Sequence, residues 1–222
     1  MPMKKKHLVI TLILLSFVCI PLSDAYADGG IKGWFTSLFK KNTDTNETDE
    51  HPDLTVLTIE ENLEIPELSN KEAIRVRGIQ KTEAERLKAT KGFKIEMMRN
   101  NEVIRVTIPA SSLFAPNDTS LHVNADAMLR PLLQCLRTPD YYHVLLVMHS
   151  DNTGNDAYTY ELTTQRVLAV FDWLDRNGAI TDFVVPYAAG SHEPLVPNNS
   201  VENRSKNRRL EIYLIPAEAM LK

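Results

Sequence analysis

An α+β fold, with helices packed on a mixed sheet, is predicted by three observations. Between residues 92 and 216, strand and helix patterns follow one another in the order β-β-α-β-α-β-β. Tyr142 to Met148 is a continuous apolar run, as expected of a central strand covered on both faces. The stretches on either side of it carry helical apolar spacing, so helices supply the covering layer.

Composition narrows the possible functions. The 222 residues are 43% hydrophobic, normal for a globular chain, and the net charge is −4. Residues 1–27 read as a secretory signal: Lys4-Lys5-Lys6 form the charged start, Leu8 to Ile20 the apolar core, and Ala25-Tyr26-Ala27 the cleavage site. The rival reading is an uncleaved anchor, which Pro21 and the polar residues after it oppose by cutting the apolar run short. Cleavage removes three lysines and one aspartate and takes the net charge to −6. So acidic a chain has no general attraction for nucleic acid, whose binding rests on neutralising phosphates. Cleavage is expected before Asp28, which places the mature chain in an extracytoplasmic compartment. Cys19 falls inside the signal and lacks a preceding small residue of the kind lipid attachment needs. Cys135 is then the one cysteine left, so the mature chain forms no internal disulfide and depends on its packed core.

Residues 28–41 place Ile31, Trp34, Phe35, Leu38 and Phe39 at helical spacing beside lysines, a short amphipathic helix. It suits a membrane surface, a partner, or the chain's own domain. Residues 42–66 read as a polar linker followed by an extended segment, Leu54 to Ile65, that Pro66 closes. In residues 67–91, Ser69-Asn70-Lys71-Glu72 is a capping-box pattern that should start a helix of about 20 residues, partly exposed and leaning on the domain.

Residues 92–216 form the domain. Phe93 to Met97 and Val103 to Ile108 flank the turn Arg99-Asn100-Asn101-Glu102 and should pair as a hairpin. A helix is expected from about Asn124 until Pro139 stops it, and a second from about Tyr160 to Asn177, with Gly178 at its stop. Phe183 to Ala188 reads as a strand, Gly190 to Asn203 as a long polar loop, Leu210 to Ile215 as the last strand, and 217–222 as a tail. The charged site falls where the central strand ends. Asp151 lies in the polar turn after it, and Arg166 in what this spacing makes the first turns of the next helix, so an acid and a guanidinium can meet at one corner. Gly154 should supply a positive φ there.

Five stretches together resemble a known family. Leu113-Phe114-Ala115-Pro116-Asn117-Asp118, His149-Ser150-Asp151-Asn152-Thr153-Gly154, Tyr158, Leu162-Thr163-x-x-Arg166 and Asn207-Arg208-Arg209-Leu210-Glu211-Ile212 look like the successive motifs of the OmpA-like C-terminal domain. That family is the peptidoglycan-associated module of bacterial outer-membrane proteins, lipoproteins and flagellar stator proteins. The resemblance implies a β/α/β/α/β-β sandwich with an N-terminal helical extension. It also implies a non-catalytic grip on the diaminopimelate of the peptidoglycan stem peptide, by Asp151 on the ammonium and Arg166 on the carboxylate. The chemistry agrees, because a zwitterion needs both signs and a planar guanidinium binds a carboxylate with two hydrogen bonds. Asn152, Thr153, Gly154, Thr159, Leu162, Asn207 and Arg208 complete the implied ligand-binding set, with Arg209 structural. Thr159 stands where the family usually has asparagine. No catalytic residue, cofactor or metal is expected: His149, Asp151, His192 and Glu193 make only a weak acid/base or metal constellation, since their spacing is loose. The alternative function is an assembly subunit that uses the fold to bind protein, with an outer-membrane or envelope partner docking on residues 28–91.

Overall fold

A computed structural model of the chain describes residues 67–137 and 140–222. The expected signal, amphipathic helix and linker, and the stop at Pro139, lie outside the described residues. Helix α1 (Asn70–Lys88) begins where its box predicts: the Ser69 hydroxyl accepts from the Glu72 amide, and the Glu72 carboxylate accepts from the Ser69 amide at 2.8 Å. Strands β1 (Lys94–Met98) and β2 (Val103–Pro109) follow as an antiparallel hairpin. Asn100 and Asn101 take left-handed φ at its turn, a conformation asparagine tolerates.

The next helix is shorter than its apolar spacing suggests. Helix α2 (Ala125–Leu129) gives way at once to a 3-10 turn, Arg130–Gln134. Pro131 is the cause, since it has no N–H to continue the α-helical ladder. Strand β3 (Tyr142–His149) then leads into helix α3 (Asp156–Arg176), which returns the chain to strand β4 (Val184–Gly190), parallel to β3. Within the expected polar loop, Ser200 caps a short helix α4 (Val201–Asn207). Its sole large apolar residue, Val201, is exposed, so no apolar period betrays it. Strand β5 (Arg209–Pro216) and helix α5 (Glu218–Leu221) complete the chain.

The sheet order is β1-β2-β5-β3-β4, so β5 enters between β2 and β3, antiparallel to both. The mixed-sheet expectation therefore holds. Period-2 alternation sends Val144, Leu146 and Met148 to one face, where they pack with Val76 and Leu87 of α1 and Val167, Val170 and Leu174 of α3. Leu145 and Val147 point to the other face and pack with Val103, Tyr213, Ile215 and Val185. Met220 of α5 is buried in the helix-side core, which thus runs from α1 to the end of the chain. Cys135 is buried too, its thiol 3.0 Å from the Glu83 carboxylate, and burial pushes that thiol well above its usual range.

Helix α1 does more than lean on the sheet. Leu87 is 0% exposed in the core, whereas Ile74 on the same helix is 73% exposed. Gln80 reaches across to donate to the backbone carbonyls of Glu102 and Leu214. Leu87→Ala should therefore lower the free energy of unfolding by about 2–5 kcal/mol through the cavity it leaves. Ile74→Ala should change it by no more than about 0.5 kcal/mol. Urea denaturation of the two variants measures both, and equal effects would show that α1 is not part of the cooperative core.

Candidate functional site

Buried on both faces, β3 can return to water only at its end. At that end the pairing with β4 shifts register, Met148 facing Ala188 and His149 facing Gly190 so that Ala189 is the extra residue on β4, and Ser150 donates its amide to the Gly190 carbonyl at 2.7 Å. Asp151 is the next residue, its side chain 4% exposed. Its Oδ1 accepts the Thr153 amide at 2.8 Å, and its Oδ2 pairs with Arg208 Nη1. Burial pushes the Asp151 carboxyl upward, yet the Thr153 hydroxyl and amide and the Arg208 guanidinium outweigh it and hold the group below the ordinary aspartate range. Gly154 follows at φ +102°, and a Cβ there would stand 2.7 Å from Cδ1 of the Tyr158 ring. Both facts require glycine.

Helix α3 starts earlier than expected, because Asn155 caps it by accepting the Tyr158 amide. Arg166 consequently sits about three turns in, beyond reach of the positive helix end, so the helix dipole does not bear on its role. Nor does Arg166 pair with Asp151, as a shared corner would allow; Arg208 holds that carboxylate instead. Arg166 is 5% exposed and stacks over the Phe114 ring, 5.0 Å from its centroid. Its Nε donates to the Asp118 carbonyl at 2.8 Å and its Nη2 to the Ala115 carbonyl at 3.1 Å. Burial, first of all, lowers its proton affinity; Tyr158 and Asp118 work to raise it, and Arg208 works to lower it. Arg208 thus lies within electrostatic reach of both charges.

The remaining expected residues divide into rim and support. Asn152, Thr153 and Gly154 are exposed on the rim and Leu162 is half-buried. Thr159 is 1% exposed and bonds its hydroxyl to the Asp156 carbonyl, so it faces the helix interior and its departure from the family pattern alters packing rather than a surface donor. Asn207 is fully buried. Its amide donates to the Val196 carbonyl and Asn198 Oδ1 and accepts from the Val196 amide, which pins the preceding loop and uses both amide hydrogens. Asn207 therefore lies beneath the site and not in it. Arg209 is structural as expected, bonded to the Glu211 carboxylate and the Asn207 and Glu193 carbonyls.

Residue types alone missed the loop at 115–118, which contributes carbonyl oxygens rather than side chains. The available signal was its composition, Pro116-Asn117 after Phe114; Asn117 adopts φ +57°, and Tyr158 donates its hydroxyl to Asn117 at 3.4 Å. Among the described residues no group of three or more His, Cys, Asp and Glu is placed to hold a metal ion. His149 instead turns to the far face of the sheet, its Nε2 3.4 Å from Glu211 Oε2. Glu211 also accepts from Arg209 and Tyr213.

Residues 113–208 match the OmpA family model. The chain is 32% identical over 129 residues to Motility protein B of Helicobacter pylori, covering 55% of this chain and 49% of that one. It is 38% identical over 66 residues to the peptidoglycan-binding protein ArfA of Mycobacterium tuberculosis, 30% of this chain and 20% of ArfA. The chain thus spans half or less of the length of these two relatives. Among solved structures it resembles the cell wall anchor of the T6SS from Pseudomonas aeruginosa, with a TM-score of 0.51, 27% identity, and coverage of 60% of this chain and 94% of that one.

The buried charges on the far face make stability depend on pH. Burial holds His149 below its ordinary 6.5, so the unfolded chain takes up a proton near pH 6.5 that the folded one refuses. Burial tends to raise Glu211, but His149, Arg209 and Tyr213 overcome it and hold the carboxyl far below 4.5. Both signs agree: stability is greatest above pH 6.5 and falls as His149 must charge and then as Glu211 must protonate. His149→Gln should remove the part of the loss between about pH 6.5 and 5, where each proton contributes up to about 1.4 kcal/mol per pH unit. Urea midpoints across pH 7.5–4.5 test this, and an unchanged slope in the variant would refute it.

Proposed function

Residues 113–208 of this chain are an OmpA-family domain, and from that premise we propose that the protein is a non-catalytic, peptidoglycan-binding component of the cell envelope. The names of two relatives support this reading, ArfA as a peptidoglycan-binding protein and the Pseudomonas structure as a cell wall anchor. Its role is to tether an envelope component to the wall. The ligand is the diaminopimelate of the stem peptide, which presents an ammonium and a carboxylate on one residue.

One observation carries the finer reading. Arg166 is a buried guanidinium whose protein hydrogen bonds among the described residues go to carbonyl oxygens and to no carboxylate. Asp118 acts on it only through its field and makes no ion pair with it, and a buried charge without a direct partner is costly; a ligand carboxylate supplies that partner. Two of its five N–H donors hold the 115–118 loop, so the group is already aimed while donors remain for a ligand. Asp151, with Thr153 fixing one carboxylate oxygen, receives the ammonium. Arg208 lies between the two charges, and Asn152, Thr153 and Gly154 form the rim.

Asp151→Asn and Arg166→Gln should each weaken cosedimentation with sacculi containing diaminopimelate by about 2–5 kcal/mol, since each strands the opposite charge. Sacculi whose stem peptides carry lysine at that position lack the second carboxylate and should bind the wild-type domain as weakly as the Arg166 variant does with the natural wall. Thermal melts of both variants report whether each stays folded. Undiminished cosedimentation in both would refute the assignment.

A further inference from the structure

Two adjacent arginines follow Asn207, and they are held in opposite ways. Arg209 is 4% exposed and locked on the Glu211 carboxylate. The Arg208 side chain is 39% exposed, and among the described residues the carboxylate it meets is Asp151. Its backbone is anchored independently, because the Arg208 carbonyl accepts the Ala110 amide at 3.0 Å. The side chain can therefore leave Asp151 without moving the chain that carries it.

This deepens the zwitterion reading above and rests on it. We propose that Arg208 is the resting occupant of the ammonium subsite, so that diaminopimelate enters by exchanging one cation for another on Asp151. The carboxylate side chain is 4% exposed, and an empty site would leave it a buried charge without a partner. Arg208 covers that cost in the unliganded domain. Its larger exposure makes it the mobile member of the pair, since a guanidinium turned out to water keeps its hydration. Arg166 has no such freedom, enclosed by Phe114 and two carbonyls.

Exchange makes the site selective. A ligand with no free ammonium cannot replace Arg208 without stranding Asp151, so it is refused even when its carboxylate suits Arg166. Leaving Asp151 also takes the Arg208 charge away from Arg166, whose proton affinity it depresses. The internal pair reduces apparent affinity by the fraction of molecules in which Asp151 is free. A pair closed about nine-tenths of the time lowers it about tenfold.

The test is calorimetric titration of the mature protein with a soluble muropeptide ending in free diaminopimelate, and with the same muropeptide acetylated on that ammonium. Arg208→Gln removes the competing charge and should bind the free muropeptide about threefold to tenfold tighter. Arg208→Lys keeps a cation at the site and should stay near wild type, while the acetylated muropeptide should gain nothing from either change. Equal or weaker binding by Arg208→Gln, or an equal gain with the acetylated ligand, overturns the exchange. If the wild type does not bind the free muropeptide, or Arg166→Gln binds it undiminished, the receptor reading fails first and the exchange with it.

Discussion

Strand β3 is bonded to β5 on one edge and β4 on the other, and its side chains are buried on both faces. A strand so enclosed cannot carry a charge along its length without a partner. Polar chemistry is therefore forced to its end, where the strand stops at His149 and the chain runs on toward α3. His149 shows the rule from the other side: pointing into the far face, it meets Glu211 in a layer where Arg209 and Tyr213 also converge. Asp151, two residues on, is the first acid after the strand, and it is buried only as far as Thr153 and Arg208 satisfy it.

The charge balance of the site follows from that enclosure. One carboxylate and two guanidinia face a common region, and the deeper guanidinium is held by carbonyls. Backbone oxygens orient Arg166 but cannot neutralise it, so its placement costs more than an ion pair would. On the proposed reading, a ligand carboxylate supplies the direct ion pair that no described carboxylate makes with Arg166. Phe114 and the 115–118 carbonyls hold the side chain in place, which makes the loop part of the candidate site although no side-chain donor or acceptor of residues 115 and 116 takes part. Asn207, fixed to Val196 and Asn198, supports the opposite wall from below and sets where Arg208 leaves the chain.

Much of the fold was legible because its signals are local. The Ser69-to-Glu72 box marks the start of α1, the Asn100-Asn101 turn marks the hairpin, and the apolar run at 142–148 marks a doubly buried strand. Three features were not legible, each for a physical reason. Pro131 interrupts a helix whose apolar spacing continues past it, because spacing reports burial and not hydrogen bonding. Helix α4 has no apolar face and is held by the Ser200 cap. The start of α3 lies in a polar stretch where Asn155, not an apolar period, decides it. Read from the apolar period, Arg166 falls in the first turns of α3, whereas it sits about three turns in.

For the site, residue types and motif order were enough to single out Asp151, Arg166, Gly154 and Arg208, since charge, planarity and positive φ are properties of the residues themselves. Which charge meets which was decided only by the tertiary structure. Asp151 and Arg166 are 15 positions apart, while Arg208 arrives 57 positions after Asp151, just before the strand that inserts between β2 and β3. Ion pairs form across space at short range, so their partners depend on strand order and register, and no local pattern encodes these. The sequence by itself determined that a carboxylate and guanidinia would gather at the end of β3; the insertion of β5 decided that Arg208 would occupy the carboxylate and leave Arg166 bonded to carbonyl oxygens.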